Sequence, residues 1–300
     1  MIDAFWGKFR GVATRGEMAS LIKAAHIIRT KLSGRSRPLV QYAYLGDQTA
    51  VIATRAGMPL FLDTRDRSLT PHLALMGCWE PDIERALVRL LKRGQRIIEV
   101  GANMGYHTLT MGRAVGRTGK IDAFEPNPRL FKLLTDSIFI NGYQDIVTTH
   151  QSAALDQAGP VKFQFHPRYV GGGNVVVPGY EDSTNLHFDV QGVRLDDVLG
   201  AEPPIDLVRM DAEGSEPLVL QGAEELMRRS PRMRIMMEFS AVMMRTRVDV
   251  PAFVAWLATF GFKAWRVVPP GSLASVAMAD LPAQTHCEIV LSRDVPPGAL

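Results

Sequence analysis

Ile97-Ile98-Glu99-Val100-Gly101-Ala102-Asn103-Met104-Gly105 is the stretch that decides the fold. A short apolar strand runs into a turn bracketed by two glycines, and helical spacing follows it over 105–115. The next apolar run, Ile121-Asp122-Ala123-Phe124, ends on Glu125 and Pro126. Strand, glycine turn, helix, strand and terminal acid form the nucleotide-binding half of a doubly wound sheet. The glycines let backbone approach a ligand, and Glu125 can accept hydrogen bonds from both hydroxyls of a ribose. A strand–helix turn that holds no ligand is the bland alternative.

The spacing also bears on which nucleotide is held. A dinucleotide turn places a bare glycine two and five residues after the first, so that pyrophosphate can sit on the backbone. Here those places hold Asn103 and Tyr106. A phosphate cradle is therefore disfavoured, and with it a nicotinamide-dependent oxidoreductase on the same sheet. S-adenosylmethionine (SAM) carries ribose and adenine without phosphate, and the G-x-x-x-G turn suits it better.

Working outward, strands and helices alternate, as in a mostly parallel sheet with helices on both faces. Strands are expected near 96–100, 120–125, 146–150, 205–210, 233–238, 262–268 and 286–292. Helices are expected over 81–91, 105–115, 128–141, 216–229 and 250–260. Near 155–195 the pattern breaks. Apolar alternation at Val161, Phe163 and Phe165, then Gly171-Gly172-Gly173, reads as a hairpin insertion with a mobile glycine tip. Residues 1–75 read as a helical and short-strand appendage, and 76–300 as the nucleotide-binding domain.

A second run, Ile205-Asp206-Leu207-Val208-Arg209-Met210-Asp211-Ala212-Glu213, also delivers acids at the carboxyl end of an apolar strand. A third, Ile235-Met236-Met237, ends on Glu238. Ligands of open α/β sheets sit outside those strand ends, so Asp211, Glu213 and Glu238 face the crevice of Gly101 and Glu125. Methyl transfer to a hydroxyl needs a group to take its proton, and a carboxylate in a partly dry crevice can serve. Asp211, Glu213 and Glu238 are the candidate catalytic acids. Each could instead be a cap or a solvated loop acid. Glu216 reads as a complement to the helix dipole. A divalent metal bridging Asp211, Glu213 and Glu238 through oxygen ligands is a further alternative, though no ligand spacing demands it. The seven histidines are scattered, and no nucleophilic serine or cysteine motif appears.

At 300 residues, 46% hydrophobic and 22% charged, the chain has an ordinary globular composition with room for one large domain and an appendage. A net charge of +3 is too weak to argue for nucleic acid. Two cysteines make no disulfide framework and suit a reduced cytosol. No apolar run is long enough to span a bilayer, and Met1–Lys8 lacks a signal-peptide core, so a cytoplasmic location is expected. The first forty residues are basic, with Met18, Leu21, Ile22, Ala25, Ile28 and Leu32 at helical spacing. Either that helix docks on the domain with a solvated basic face, or it touches an anionic membrane.

Together these residues resemble the FkbM family of SAM-dependent methyltransferases over roughly 76–240. The resemblance rests on Gly77-Cys78-Trp79-Glu80-Pro81, on Val100 through Thr108 and on Ala123-Phe124-Glu125-Pro126-Asn127-Pro128. It rests further on Arg194 through Leu199, and most specifically on Asp211-Ala212-Glu213-Gly214-Ser215-Glu216 followed by Val219-Leu220-Gln221-Gly222-Ala223. It implies a seven-stranded sheet with a reversed final strand and SAM as donor. It also implies methylation of a hydroxyl on a sugar, glycan or secondary metabolite. By that likeness Glu125 binds ribose, Gly101, Ala102, Asn103 and Gly105 cradle the methionine end, and Glu80 is a further cofactor-binding candidate. Ser152 and Ala153 flank adenine. His107 stands where an aromatic or aliphatic residue is expected. A non-catalytic SAM-binding module is the remaining alternative.

Overall fold

The computed structural model describes residues 41–180, 183–200 and 202–299. The expected basic helix over 1–38 lies outside them. The chain enters through a three-stranded antiparallel meander, β1 (Tyr42–Gly46), β2 (Thr49–Ala53) and β3 (Pro59–Asp63). Two helices, α1 (Leu69–Met76) and α2 (Pro81–Leu90), lead to the nucleotide-binding half. That half is β4 (Arg96–Val100), α3 (Tyr106–Val115), β5 (Lys120–Phe124), α4 (Pro128–Ile140) and β6 (Val147–His150). The insertion holds β7 (Ala153–Ala154), β8 (Gly159–His166), β9 (Tyr169–Val175) and β10 (Leu186–Val193), followed by α5 (Leu195–Leu199). The second half runs β11 (Leu207–Met210), α6 (Glu216–Gln221), α7 (Glu224–Arg229), β12 (Arg234–Phe239), α8 (Ala241–Met244) and α9 (Val250–Thr259). It closes with β13 (Lys263–Val268), β14 (Ser272–Val276) and β15 (Cys287–Ser292).

The main sheet has the order β14-β13-β15-β12-β11-β4-β5-β6. Pairings from β12 through β6 are parallel, and β15 runs antiparallel between β12 and β13. This is the doubly wound sheet with a reversed final strand. It carries eight strands rather than seven, because the chain turns back after Val268 and adds β14 to the edge of β13. Gly271 sits in that turn at φ +90, where an added Cβ would lie 2.8 Å from the Asp82 carbonyl. The hairpin is thus fixed by its approach to α2, a tertiary cause that strand periodicity does not reveal.

Buried parallel strands feed both faces. Ile97, Leu207 and Met236 pack under α2 and α3, while Ile98, Val208, Ile235 and Met237 pack on the other side with α6, α7 and α9. Order reverses between β4 and β11, which opens a crevice at their carboxyl ends.

Three local readings change. The helix expected over 216–229 is broken into α6 and α7. A Cβ at Gly222 would lie 1.9 Å from the Leu155 carbonyl, so the insertion's root presses against that bend. Helix α1 fills 69–76, where no element is expected; the Asp66 carboxylate accepts from the Thr70 amide at 2.7 Å and starts it. The triple glycine is not the tip of a hairpin. Gly171–Gly173 lies within β9, in a four-stranded sheet ordered β7-β10-β8-β9. The Phe163 ring stands 2.7 Å from where a Cβ of Gly173 would be, and Asn103 Nδ2 stands 3.0 Å from that of Gly171. These glycines make room for neighbours.

The meander is bound to the main body. The Phe61 amide donates to Ser137 Oγ at 3.0 Å, and buried Asp63 accepts from Arg129 of α4 at 3.1 Å. Val51, Leu60 and Leu62 share one apolar cluster with Leu109, Leu130 and Leu133.

Candidate functional site

A cavity of about 600 Å³ opens at the switch point between β4 and β11. Glu80, Gly101, Ala102, Asn103, Glu125, Ser152, Ala153, Asp211, Glu213 and Glu238 all line it. Gly105 does not line it. It caps α3 at φ +95, and a Cβ there would meet Leu134 Cδ1 at 2.9 Å, so this glycine serves helix packing. Gly101 is similarly explained: a Cβ would fall 1.9 Å from the Asp211 carbonyl oxygen. The close approach at Gly101 is to the end of β11, and it brings the two halves of the crevice together.

Strained backbone gathers here. Five non-glycine residues have positive φ among those described, and two of them, Asp47 and Gln48, make the β1–β2 turn. The other three, Glu80, Asn103 and Glu213, all line the cavity. Such conformations cost energy and persist where surroundings over-determine them, commonly at ligand sites.

Glu125 is buried at the carboxyl end of β5. Its Oε2 accepts from the Asn103 amide and its Oε1 from the Asn127 amide, both at 2.8 Å. Burial pushes its carboxyl up to about 7, against the pull of those two amides. The acid therefore holds the glycine turn in shape as well as facing the cavity. Ser152 and Ala153 follow β6, and the Gly171–Val175 segment of β9 also lines the cavity. Trp79 also lines the cavity, edge-on to His72 with ring centroids 5.2 Å apart.

The floor is an ionic cluster that the sequence reading did not assemble. Arg209 and Glu99 lie opposite each other on β11 and β4. Both are buried inside otherwise apolar strands, and a charge in such a strand was the available signal. Arg209 Nη2 stands 3.2 Å from Asp211 Oδ2, its Nη1 donates to the Gly101 carbonyl at 3.4 Å, and Glu99 Oε1 is 4.0 Å away. Glu99 also accepts from the Thr108 hydroxyl. Burial raises Glu99 to about 7 although Arg209 pulls it down.

Around Asp211 the acids crowd. Burial, then Asp211 and Glu216, push Glu213 up to about 8 while Arg247 opposes them. Burial and the charges of Asp211, Glu213 and Glu216 push Glu238 far above the usual carboxylate range. His286 Nδ1 meets Glu238 Oε1 at 2.7 Å, with the histidine largely in solvent. Glu216 accepts from the Ala212 amide at 2.8 Å, closing the turn as well as opening α6. Arg247 donates to the Val175 carbonyl at 3.0 Å and so ties β9 to the acids.

Six carboxyl residues line this cavity against one guanidinium and two imidazoles. The volume suits a drug-sized ligand, and the acids suit a cation once they are ionised, which burial delays at Glu125, Glu213, Glu238 and Glu288. A ribose diol at Glu125, adenine beside Ser152 and Ala153, and a sulfonium over the acids fit the residues present. No group of three or more metal-ligating side chains that could hold an ion occurs among the described residues.

Methyltransferase sdnD from Sordaria araneosa is 29% identical over 157 residues, covering 43% of this chain and 60% of that protein. A protein-L-isoaspartate O-methyltransferase from Methanococcus maripaludis is 29% identical over 75 residues, 25% of this chain and 32% of its own length. The chain thus spans less than two thirds of either relative. Among solved structures, a SAM-dependent O-methyltransferase from Thermotoga maritima aligns with TM-score 0.41 and 14% identity, over 85% of this chain and 86% of that one. Fibrillarin from Aeropyrum pernix, with natively bound SAM, aligns with TM-score 0.40 and 13% identity, over 85% and 99%. The methyltransferase FkbM domain matches residues 99–264. That match runs from the end of β4 to the start of β13, more than half of the chain, and takes in Glu125, Asp211, Glu213 and Glu238 of the crevice but not Glu80 or Glu288, and by it the chain belongs to the FkbM methyltransferase family.

Proposed function

We propose that this protein is a SAM-dependent methyltransferase that methylates a hydroxyl on a sugar, glycan or secondary metabolite. The observation that carries the reading is the set of carboxyl groups around Asp211, in one cavity with the glycine turn and Glu125. Bound SAM supplies an electrophilic methyl group on a positively charged sulfur. Everything else is work for the chain. Glu125 accepts from the ribose diol and holds the turn. Asp211, Glu213 and Glu238 line the remainder, where an incoming alcohol must sit. Positioning a nucleophile in line can supply ~7–11 kcal/mol of the barrier. Glu213, held up to about 8, and Glu238, held higher, bind a proton more firmly than ordinary carboxylates. Once ionised, either is a stronger base toward a hydroxyl.

The acceptor is read as a small molecule or glycan rather than nucleic acid, because the cavity wall is acidic. The cytoplasm is the proposed compartment. Among the described residues no helix is long and apolar enough to cross a membrane. Membrane contact through the basic first forty residues stays a proposal about residues outside those described.

Calorimetry with SAM tests the donor, and transfer of a labelled methyl group to panels of glycosides and alcohols tests the acceptor. The expected pattern is SAM binding by wild type and by Asp211→Ala, with transfer lowered by orders of magnitude in the variant. Wild-type protein that ignores millimolar SAM, or an Asp211→Ala variant with unchanged turnover, contradicts the reading.

A further inference from the structure

Two of the three glycines in β9 are explained by the protein's own packing. A Cβ on Gly171 would lie 3.0 Å from Asn103 Nδ2 and 3.1 Å from Leu69 Cδ1, and one on Gly173 would lie 2.7 Å from the Phe163 ring. Gly172 is different. The atoms nearest its added Cβ are Glu213 Oε1 at 3.7 Å and the Tyr169 carbonyl oxygen at 3.8 Å, both ordinary van der Waals distances. Its φ lies outside the left-handed region, so the backbone does not require glycine either. The residue is exposed and lines the cavity. Glycine inside a strand weakens it and often marks the close approach of a ligand.

The missing side chain would point toward Glu213. That residue is half-buried, sits at φ +51 and makes no hydrogen bond or ion pair among the described residues. Any side chain at 172 would therefore take up space beside an unpaired carboxyl. The strand that leaves this space is held on both sides of it. The Arg67 amide donates to the Arg168 carbonyl at 2.8 Å, and Arg247 Nη2 donates to the Val175 carbonyl at 3.0 Å. Trp79 and Tyr169 line the same cavity and offer flat, largely apolar surfaces to whatever enters.

We propose that Gly172 sets the width of the acceptor subsite: the bare strand admits a hydroxyl carried on a ring, with the ring against Gly172 and the hydroxyl beside Glu213. A ring hydroxyl brings a carbon on each side of the one that bears it, whereas a chain-terminal hydroxyl brings a single carbon. The ring needs the width that a side chain would remove. The proposal rests on the reading of the cavity as a hydroxyl methyltransferase site and narrows its acceptor to cyclic alcohols, pyranosides among them. Gly172 acts by leaving room and takes no part in making or breaking a bond.

The test is transfer of a labelled methyl group from SAM by the full chain to two panels. The rings are methyl xylopyranoside, methyl rhamnopyranoside and myo-inositol, which carry no primary hydroxyl. The open chains are glycerol, erythritol and mannitol. Wild type should favour the rings. Gly172→Ala should lower kcat/KM for the best ring alcohol about tenfold and Gly172→Val about a hundredfold, the range that small additions to a fitted pocket command. Whatever transfer the open chains receive should change less than about threefold, and SAM affinity in calorimetry less than about twofold. Gly172→Ala adds only a 3.7 Å contact, so it keeps the test available if valine disturbs the fold. Variants that match wild type on the rings, losses that fall equally on both panels, or a parallel loss of SAM affinity overturn the proposal. A wild type that prefers open chains overturns it too. A wild type that binds SAM and methylates neither panel refutes the hydroxyl reading itself, and that outcome is seen before any variant is made.

Discussion

Replacing Arg209 by methionine removes the one guanidinium from the cavity floor, and its cost should depend on pH. The side chain is 5% exposed, with Asp211 at 3.2 Å, Glu99 at 4.0 Å and the Gly101 carbonyl at 3.4 Å. Methionine fills much of the volume, so the loss is electrostatic. Breaking a buried ion pair by removing one partner typically costs ~3–5 kcal/mol, because the other charge is left uncompensated. Glu99 supplies the pH dependence. Its carboxyl is held at about 7 in the folded protein, with burial raising it and Arg209 lowering it. Without Arg209 it rises further. A raised acid in the folded state means that stability falls as pH climbs from the unfolded value through the folded one. Wild type stops losing stability from Glu99 near pH 7, whereas the variant continues to lose it above. The difference between them should therefore be ~1–2 kcal/mol at pH 5.5, where Glu99 is protonated in both and only hydrogen bonds and the Asp211 contact are lost. It should grow to ~3–5 kcal/mol at pH 8.5. Urea unfolding at the two pH values measures this as the shift in midpoint at constant slope. A penalty that is the same at both pH values, or larger in acid, refutes the assignment of Glu99 and Arg209 as a coupled pair.

Three further outcomes follow from the same geometry. Gly101→Ala places a methyl group 1.9 Å from the Asp211 carbonyl at φ +77. It should cost ~2–5 kcal/mol in denaturant unfolding by adding left-handed strain to overpacking, and a loss under ~1 kcal/mol would mean β11 yields easily. Glu125→Ala should weaken SAM by ~2–3 kcal/mol in calorimetry. It should also lower the unfolding midpoint, since the Asn103 and Asn127 amides lose their acceptor. Unchanged affinity would place the ribose elsewhere. Finally, SAM affinity should climb between pH 6 and 8 by up to ~10-fold per unit, because its cation favours ionised acids and Glu213 must give up a proton held at about 8. S-adenosylhomocysteine, with a neutral sulfur, should show a shallower climb; matching slopes would separate the acids from the sulfonium.

The sequence made most of the sheet legible because buried parallel strands announce themselves as short apolar runs with acids at their ends. Ile97–Val100, Ile121–Phe124, Leu207–Met210 and Ile235–Met237 needed no partner to be recognised. Glu125, Asp211, Glu213 and Glu238 came with them, as strand ends on one side of a parallel sheet share one rim. What stayed hidden depended on residues far apart in the chain. The glycines at 171–173 read as a flexible tip, yet Phe163 and Asn103 require two of them inside a strand. The bend at Gly222 comes from Leu155, and the β14 hairpin from its seat on α2. Arg209 stands in an apolar strand, and its pairing with Glu99 appears only in the register that sets β11 beside β4.

The insertion has a geometry with its own consequence. Its first strand, β7, pairs in parallel with the last residues of β10, Ala153 with Gly192 and Ala154 with Val193. The points where the chain departs from the common body and rejoins it are therefore neighbours, and Phe163, Val190 and Leu155 give the excursion a small apolar centre of its own. A segment rooted at two adjacent points can be lengthened, shortened or exchanged between relatives without altering the span that the body must bridge. Natural variation and deliberate grafting alike can thus reshape one wall of the crevice while the strands beneath keep their register.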